Sequence, residues 1–313
     1  MTRNSAKEVL VVGSVALDTV KTPYGERTDG LGGSATFFAA AASLFAPVRV
    51  VGVVGEDFPM DQLRFLQTRS VDLTGLQITQ GRTFRWIGQY GMDPNARQTL
   101  DTQLNVFADF RPILPEAYRD TGYVFLANID PELQLEVLHQ IRSPNVVACD
   151  TMNFWIEGAR TALMDVLRAV QIVILNDAEV RQLAEDPHLI RAARKVLGTG
   201  PKVVIVKKGE HGAFMMFEDR FFTVSAFPTD SVVDPTGAGD AFAGGFMGYL
   251  ARAGSLEEGI LRRAMVYGSA VASFAVEQFS VERLKTLTFP EIVERCQALR
   301  RMTAFEEEDG EVC

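Results

Sequence analysis

Cysteine, histidine and tryptophan are scarce in this 313-residue chain, with three, three and two copies. Cys149, Cys296 and Cys313 lie far apart with no Cys-x-x-Cys pair. That argues against a zinc ribbon or a disulfide framework and for a reducing compartment. His139, His188 and His211 lack metal-ligand spacing. No run approaches the roughly 18 apolar residues of a membrane span. The apolar stretch near the start is too short for a secretory signal. The expectation is a cytoplasmic protein with no membrane partner. Positive charge is also in deficit: 31 Lys and Arg face 40 Asp and Glu, for a net charge of −9. A broad nucleic-acid surface is therefore not expected. An anionic ligand is still compatible, because a local cluster of backbone N–H groups outweighs the global sign.

Short apolar runs alternate with helical periodicity for most of the length. Val9–Val12, Val48–Val54, Tyr123–Ala127, Val146–Cys149, Val170–Leu175 and Val203–Val206 read as buried strands. Ala35–Phe45, Met60–Ser70, Pro131–Ile141 and Ala159–Val166 read as helices. This alternation predicts an α/β fold, a mostly parallel sheet covered on both faces. Two stretches break the rhythm. Residues 19–31 are polar and turn-rich, and residues 84–106 alternate polar with apolar, as exposed antiparallel strands do. The expectation is one domain over residues 1–313, with these segments forming a small discontinuous β lid. The acidic tail Glu306–Cys313 is expected to fray.

The most informative segment is Asp234-Pro-Thr-Gly-Ala-Gly-Asp240 and the apolar run after it. Gly237, Ala238 and Gly239 would sit at a helix N-terminus. Free N–H groups and the helix dipole there form an anion hole for a transferring phosphoryl group. Asp240, in the first turn, is placed to accept the proton of an attacking hydroxyl. The same letters also fit a buried helix after a glycine turn, with Asp240 only favouring the dipole. Gly244 and Gly248, four apart, would let this helix pack closely on a neighbour. No Lys follows the glycines as in a Walker A loop, and the G-x-G-x-x-G spacing is absent.

Asp234-Pro-Thr-Gly-Ala-Gly-Asp-Ala-Phe resembles the C-terminal signature of the ribokinase-like (PfkB) carbohydrate and nucleoside kinases. The resemblance extends over nearly the whole chain, in order. Gly13-Ser14-x-x-x-Asp18 is similar to the first motif, whose Asp holds substrate hydroxyls. Gly32-Gly33-Ser34-Ala35 resembles the glycine pair beside the substrate. Gly52-x-x-Gly55-x-Asp57-Phe58 and Val71-Asp72 match the next helix and its exit. Asn176-x-x-Glu179 matches a motif linked to magnesium and phosphate. Lys208-Gly209-Glu210-His211-Gly212 resembles the turn near the nucleotide phosphates. There is one departure: the family's usual Asn, four residues past the second glycine, is here Phe37.

The resemblance implies a ribokinase-like three-layer fold and an ATP-dependent transfer to a sugar-like or nucleoside-like hydroxyl, with Mg2+. Asp240 would be the base and the Gly237–Gly239 amides the anion hole. Asp18, Gly32, Gly33, Phe37 and Trp86 would face the acceptor. Lys208, Gly209, Gly212, Thr236 and Asn176 would face ATP, with Lys207 beside them. Glu179 would act on Mg2+ through water, although Asn176 and Glu179 also fit a simple N-cap and first-turn acid. Asp234, with Thr236, is a candidate monovalent-cation (K+) site. Phe84, Trp86 and Tyr90 would share one lid face, stacking on a base or sugar or packing a homodimer through the lid. A non-catalytic small-molecule-binding protein on the same scaffold is the alternative, and the retained Asp240 counts against it. Phe37 and the aromatic lid favour an acceptor with an apolar face, such as a nucleoside.

Overall fold

The protein is described from a computed structural model that covers residues 7–304. The tail from Glu306 onward lies outside the described residues. Thirteen strands form: β1 (Val9–Val12), β2 (Ala16–Thr22), β3 (Gly25–Gly32), β4 (Val48–Gly55), β5 (Val71–Thr79), β6 (Arg85–Tyr90), β7 (Arg97–Gln103), β8 (Tyr123–Leu126), β9 (Val146–Asp150), β10 (Ile172–Asn176), β11 (Val203–Lys207), β12 (Ala213–Phe217) and β13 (Arg220–Val224).

Nine of them make one sheet, in the order β13-β12-β11-β10-β9-β8-β1-β4-β5. From β11 to β5 every pairing is parallel, and β12 and β13 return antiparallel. The apolar runs explain this burial. Each strand points alternate residues to opposite faces. Val9 and Val11 enter one core, while Leu10 and Val12 enter the other. The first core lies under the helix Ser34–Ala42 and the helix Ala238–Ala253. These two pack backbone to backbone. A Cβ on Gly244 would come within 2.4 Å of the Phe38 carbonyl oxygen, and one on Gly248 within 2.9 Å of that of Ala42. No helix among the described residues is long and apolar enough to cross a membrane.

The helix expected over Met60–Ser70 is instead a 3₁₀ turn (Met60–Leu63) and a short α-helix (Arg64–Thr68). Pro59 precedes it and Ser70 leaves it with φ of 61°, so little more than two turns fit between them.

The remaining four strands form the lid, in the order β3-β2-β6-β7. β2–β3 and β6–β7 are antiparallel, but the central β2–β6 pairing is parallel, a seam that alternation along the chain does not reveal. The lid starts at Ala16, so Asp18 belongs to a lid strand. Asp57 anchors the lid's base. It accepts hydrogen bonds from the Thr83 amide and hydroxyl, each at 2.7 Å, and from Arg85 at 3.1 Å. The segment matched as a helix lead-in therefore also holds β6 in place.

Candidate active site

The helix Ala238–Ala253 begins at Gly237, whose φ of 75° lies in the left-handed region, and no side chain caps it. A Cβ on Gly237 would lie 2.3 Å from the Phe37 ring. The position thus requires glycine for conformation and for space. The Ala238 amide bonds the Pro235 carbonyl at 3.3 Å, while the Gly239 and Asp240 amides have no hydrogen bond among the described residues. Phe37 is buried beneath this loop.

Asp240 stands in the same first turn. Burial pushes its carboxyl up to about 7, and the charge of Asp150 adds to this, while Lys207 and Arg97 oppose it. A carboxyl poised there is suited to proton transfer near neutral pH. Asp18 approaches from the lid. Burial raises its carboxyl to about 7, against a hydrogen bond from the Gly33 amide. Its Oδ1 is buried and has no hydrogen-bond partner among the described residues. A Cβ on Gly32 would fall 2.0 Å from Asp18 Oδ2, so the glycine pair makes room for this carboxylate. An orphaned acceptor oxygen inside a cleft is suited to a ligand hydroxyl. The cleft around Asp18 is also lined by Val20, Leu31, Phe37, Asp234 and Thr236.

Three neighbouring strands end in polar side chains that share one face. Asp150 ends β9, Asn176 ends β10 and Lys207 ends β11, with Asn176 paired to Lys207 in register. Each has the parity of the strand residues in the first core, so all three project toward the helix that carries Asp240. Lys207 Nζ lies 3.2 Å from Asp150 Oδ2. A Cβ on Gly239 would come within 2.8 Å of Nζ, which places the ammonium over the glycine loop. Burial opposes that charge, but Asp150, Glu179 and Asp240 hold the Lys207 pKa above its ordinary value. Lys207 is therefore the lysine whose ammonium reaches the glycine loop. The neighbouring Lys208 turns to the other side, and its amide bonds the Gly212 carbonyl at 2.8 Å to close the glycine turn. Gly209 and Gly212 take φ of 56° and 79° in that turn.

Asn176 and Glu179 form a reciprocal capping box, each amide bonded to the other's side chain at 2.8 Å. Burial, then Asp150, raises the Glu179 carboxyl to about 7, against Lys207. Its second oxygen has no hydrogen bond among the described residues, which leaves it an acceptor for the water of a hydrated cation. No cluster of three or more His, Cys, Asp or Glu with metal-holding geometry exists among the described residues. Asp234 is 1% exposed. Its two oxygens accept from the Thr236 amide at 2.9 Å and the Ser280 amide at 3.0 Å. In this arrangement Asp234 braces the loop.

The lid aromatics separate. Tyr90 touches the phosphate loop, its hydroxyl 3.3 Å from Thr236 Oγ1. Trp86 pairs in register with Asp18 and donates from Nε1 to Thr99 Oγ1 at 3.2 Å. Phe84 leaves that face and stacks on Phe107 at 5.3 Å. Sequence reasoning missed Asp150 and Arg97. Asp150 had a signal, since it is a carboxylate directly after a buried strand of a parallel sheet. Arg97 had none, because the polar string of β7 looks like any exposed strand.

A glycine loop opening a helix under a β lid, with a carboxylate in its first turn and an ammonium over its glycines, defines a small-molecule phosphotransferase of the ribokinase-like fold. The family profile described as pfkB family carbohydrate kinase matches residues 6–286. The chain belongs to that family and is an ATP-dependent kinase. The cytidine kinase of Thermococcus kodakarensis is 32% identical over 256 residues, covering 80% of this chain and 91% of that protein. The crystal structure of the Methanocaldococcus jannaschii nucleoside kinase matches with a TM-score of 0.75 at 20% identity, covering 94% of this chain and 99% of that one. An E. coli protein named as a ribokinase II, solved with ATP and Mg2+, matches with a TM-score of 0.77 at 21% identity, covering 93% and 99%. Kinases of this family use ATP and Mg2+.

Proposed function

We propose that the acceptor is a nucleoside, phosphorylated on a sugar hydroxyl, with Asp240 as the base. The observation that carries this reading is the wall around Asp18. One free carboxylate oxygen is set among Val20, Leu31 and Phe37, with Trp86 beside it on the lid. The guanidinium lining this cleft, Arg27, lies 3.9 Å from Glu282. Among the described residues no other Lys or Arg lines this cleft, which disfavours a phosphorylated sugar there. The relationship to a cytidine kinase supports the same reading.

In the proposed reaction the ionised Asp240 takes the hydroxyl proton. The acceptor oxygen bonds to the γ-phosphorus while the bond from that phosphorus to the bridging oxygen breaks, and its electron pair leaves with ADP. The N–H groups of the Gly237–Gly239 turn and the Lys207 ammonium stabilise the charge on the transferring group. Glu179 would hold Mg2+ through water, and the ion would supply charge neutralisation of the phosphates. The lid excludes water that would otherwise hydrolyse ATP. Asp234 is proposed as a loop brace, with any monovalent cation held by neighbouring carbonyls.

ADP release measured over cytidine, uridine, inosine, ribose and phosphorylated sugars tests the acceptor. Nucleosides should exceed ribose in kcat/KM by about tenfold or more, since stacking on an aromatic side chain contributes roughly 1–3 kcal/mol. Ribose or a sugar phosphate turning over faster would reject it. Trp86→Ala should raise nucleoside KM by about tenfold with little change in ATP KM. Its rival role is a homodimer contact through the lid. A shift to monomer on a sizing column with unchanged acceptor KM would assign Trp86 to that contact. Glu179→Gln should raise the Mg2+ concentration for half-maximal rate more than it changes acceptor KM. An unchanged midpoint would remove Glu179 from the metal.

A further inference from the structure

Arg97 opens β7 on the lid and pairs in register with Tyr90. Tyr90 is the residue whose hydroxyl meets Thr236 on the phosphate loop. Two residues before Arg97, the lid tip reaches the other side of the mouth. Asn95 Nδ2 donates to Glu210 Oε2 at 3.1 Å, and a Cβ on Gly209 would fall 1.9 Å from Asn95 Oδ1. Two residues of strand span only about 7 Å. Arg97 is therefore bracketed between a contact on the phosphate loop and a contact on the nucleotide turn.

Its guanidinium is exposed and has no ion pair or hydrogen bond among the described residues. It rests over the Trp86 ring at 5.5 Å. Stacking holds the plane of a guanidinium while leaving its N–H edge free. From there its charge favours the ionised forms of Asp240, Glu179 and Tyr90. The charge balance there calls for it. Asp150, Glu179 and Asp240 surround a single ammonium, that of Lys207. A triphosphate adds further negative charge to that group. Mg2+ held through Glu179 would offset part of that charge on its own side, and on the open side the lid provides a cation in Arg97.

We propose that Arg97 is a catalytic residue that the closed lid places on the non-bridging oxygens of the transferring phosphoryl group, opposite Lys207. No bond to Arg97 forms or breaks; its N–H fork donates to oxygens whose charge must be accommodated as the phosphoryl group moves from ADP to the acceptor. Because the residue travels with the lid, its contact with phosphate links closure to turnover. The proposal rests on ATP-dependent transfer and is independent of which acceptor is used.

The test compares Arg97→Met and Arg97→Lys with the wild type at saturating acceptor. Arg97→Met should lower kcat by about 10²-fold, comparable with the loss of one preorganised donor. Acceptor KM and the melting temperature should stay close to wild type. Added guanidinium ion, below denaturing concentration, should restore part of the rate to Arg97→Met and none to the wild type. Arg97→Lys should fall in between, since it keeps the charge and loses the fork. The acidic limb of the rate profile should move to higher pH in Arg97→Met, because a cation that favours ionised Asp240 has gone. A kcat within about twofold of wild type would overturn the proposal. So would a rate loss that follows a lowered melting temperature and shows neither rescue nor a shifted limb. An acceptor panel that fails to favour nucleosides would leave these outcomes unchanged, which separates the two readings.

Discussion

Asp240→Asn is expected to lower kcat by roughly 10²–10⁴-fold, the usual range for loss of a general base, while ATP still binds. The amide keeps the shape and cannot take the hydroxyl proton. In the wild type, kcat should rise with pH through about 7, where burial and Asp150 hold this carboxyl, and then level. The substitution carries an opposite signature in stability. Between the ordinary value of 3.8 and about 7, the folded protein retains a proton that the unfolded chain releases. Stability from this group is therefore lost as pH rises through that window. Asp240→Asn removes the loss. Its melting temperature should equal or exceed that of wild type at about pH 8 and match it near pH 4. Near-normal kcat, or a large drop in melting temperature at high pH, would reject Asp240 as a buried base.

Much of this site is legible in the chain because the decisive features are local. Gly237 needs a positive φ and open space above Phe37, and both demands are written in a few adjacent letters. The strand ends at Asn176 and Lys207 follow from buried runs and a period of two. That period also separates Lys207 from Lys208: it places Lys207 on the face of Val203 and Ile205, under the helix of Asp240. A slip of one residue reverses the face, so the two adjacent lysines, which look alike in the sequence, reach different surroundings. The lid is harder to read. Its central seam joins β2 to β6 across more than sixty residues of sequence. No short window shows that Trp86 sits beside Asp18, or that Phe84 turns away to Phe107. That Asp18 lies on a lid strand is equally hidden, because the chain crosses from β1 into the lid over only three residues. Arg97 acquires meaning only through the two lid contacts that flank it.

The second large effect is expected at the pair that sequence spacing alone did not join. Lys207 and Asp150 are both shielded, with side-chain exposures of 17% and 8%. Lys207→Met removes the ammonium that bonds Asp150 and leaves Asp150, Glu179 and Asp240 with only the exposed Arg97 of the lid to offset them. Breaking one half of a shielded ion pair costs about 3–5 kcal/mol, so this variant should melt well below wild type at neutral pH. Its kcat should also fall by about 10²-fold or more, because a cation over the anion hole is lost. Stability and rate separate in the double variant. Asp150→Asn combined with Lys207→Met removes both charges and should recover most of the lost stability, since an uncharged pair of similar volume is often tolerated as well as the ion pair. The rate should not recover, because phosphate would still meet no ammonium. If the rate returns with stability, Lys207 serves only to neutralise Asp150, and the anion hole works through its backbone N–H groups alone. If neither returns, Asp150 has a role in the site beyond holding Lys207, and the Mg2+ midpoint of Asp150→Asn, compared with that of Glu179→Gln, would show whether that role is at the metal.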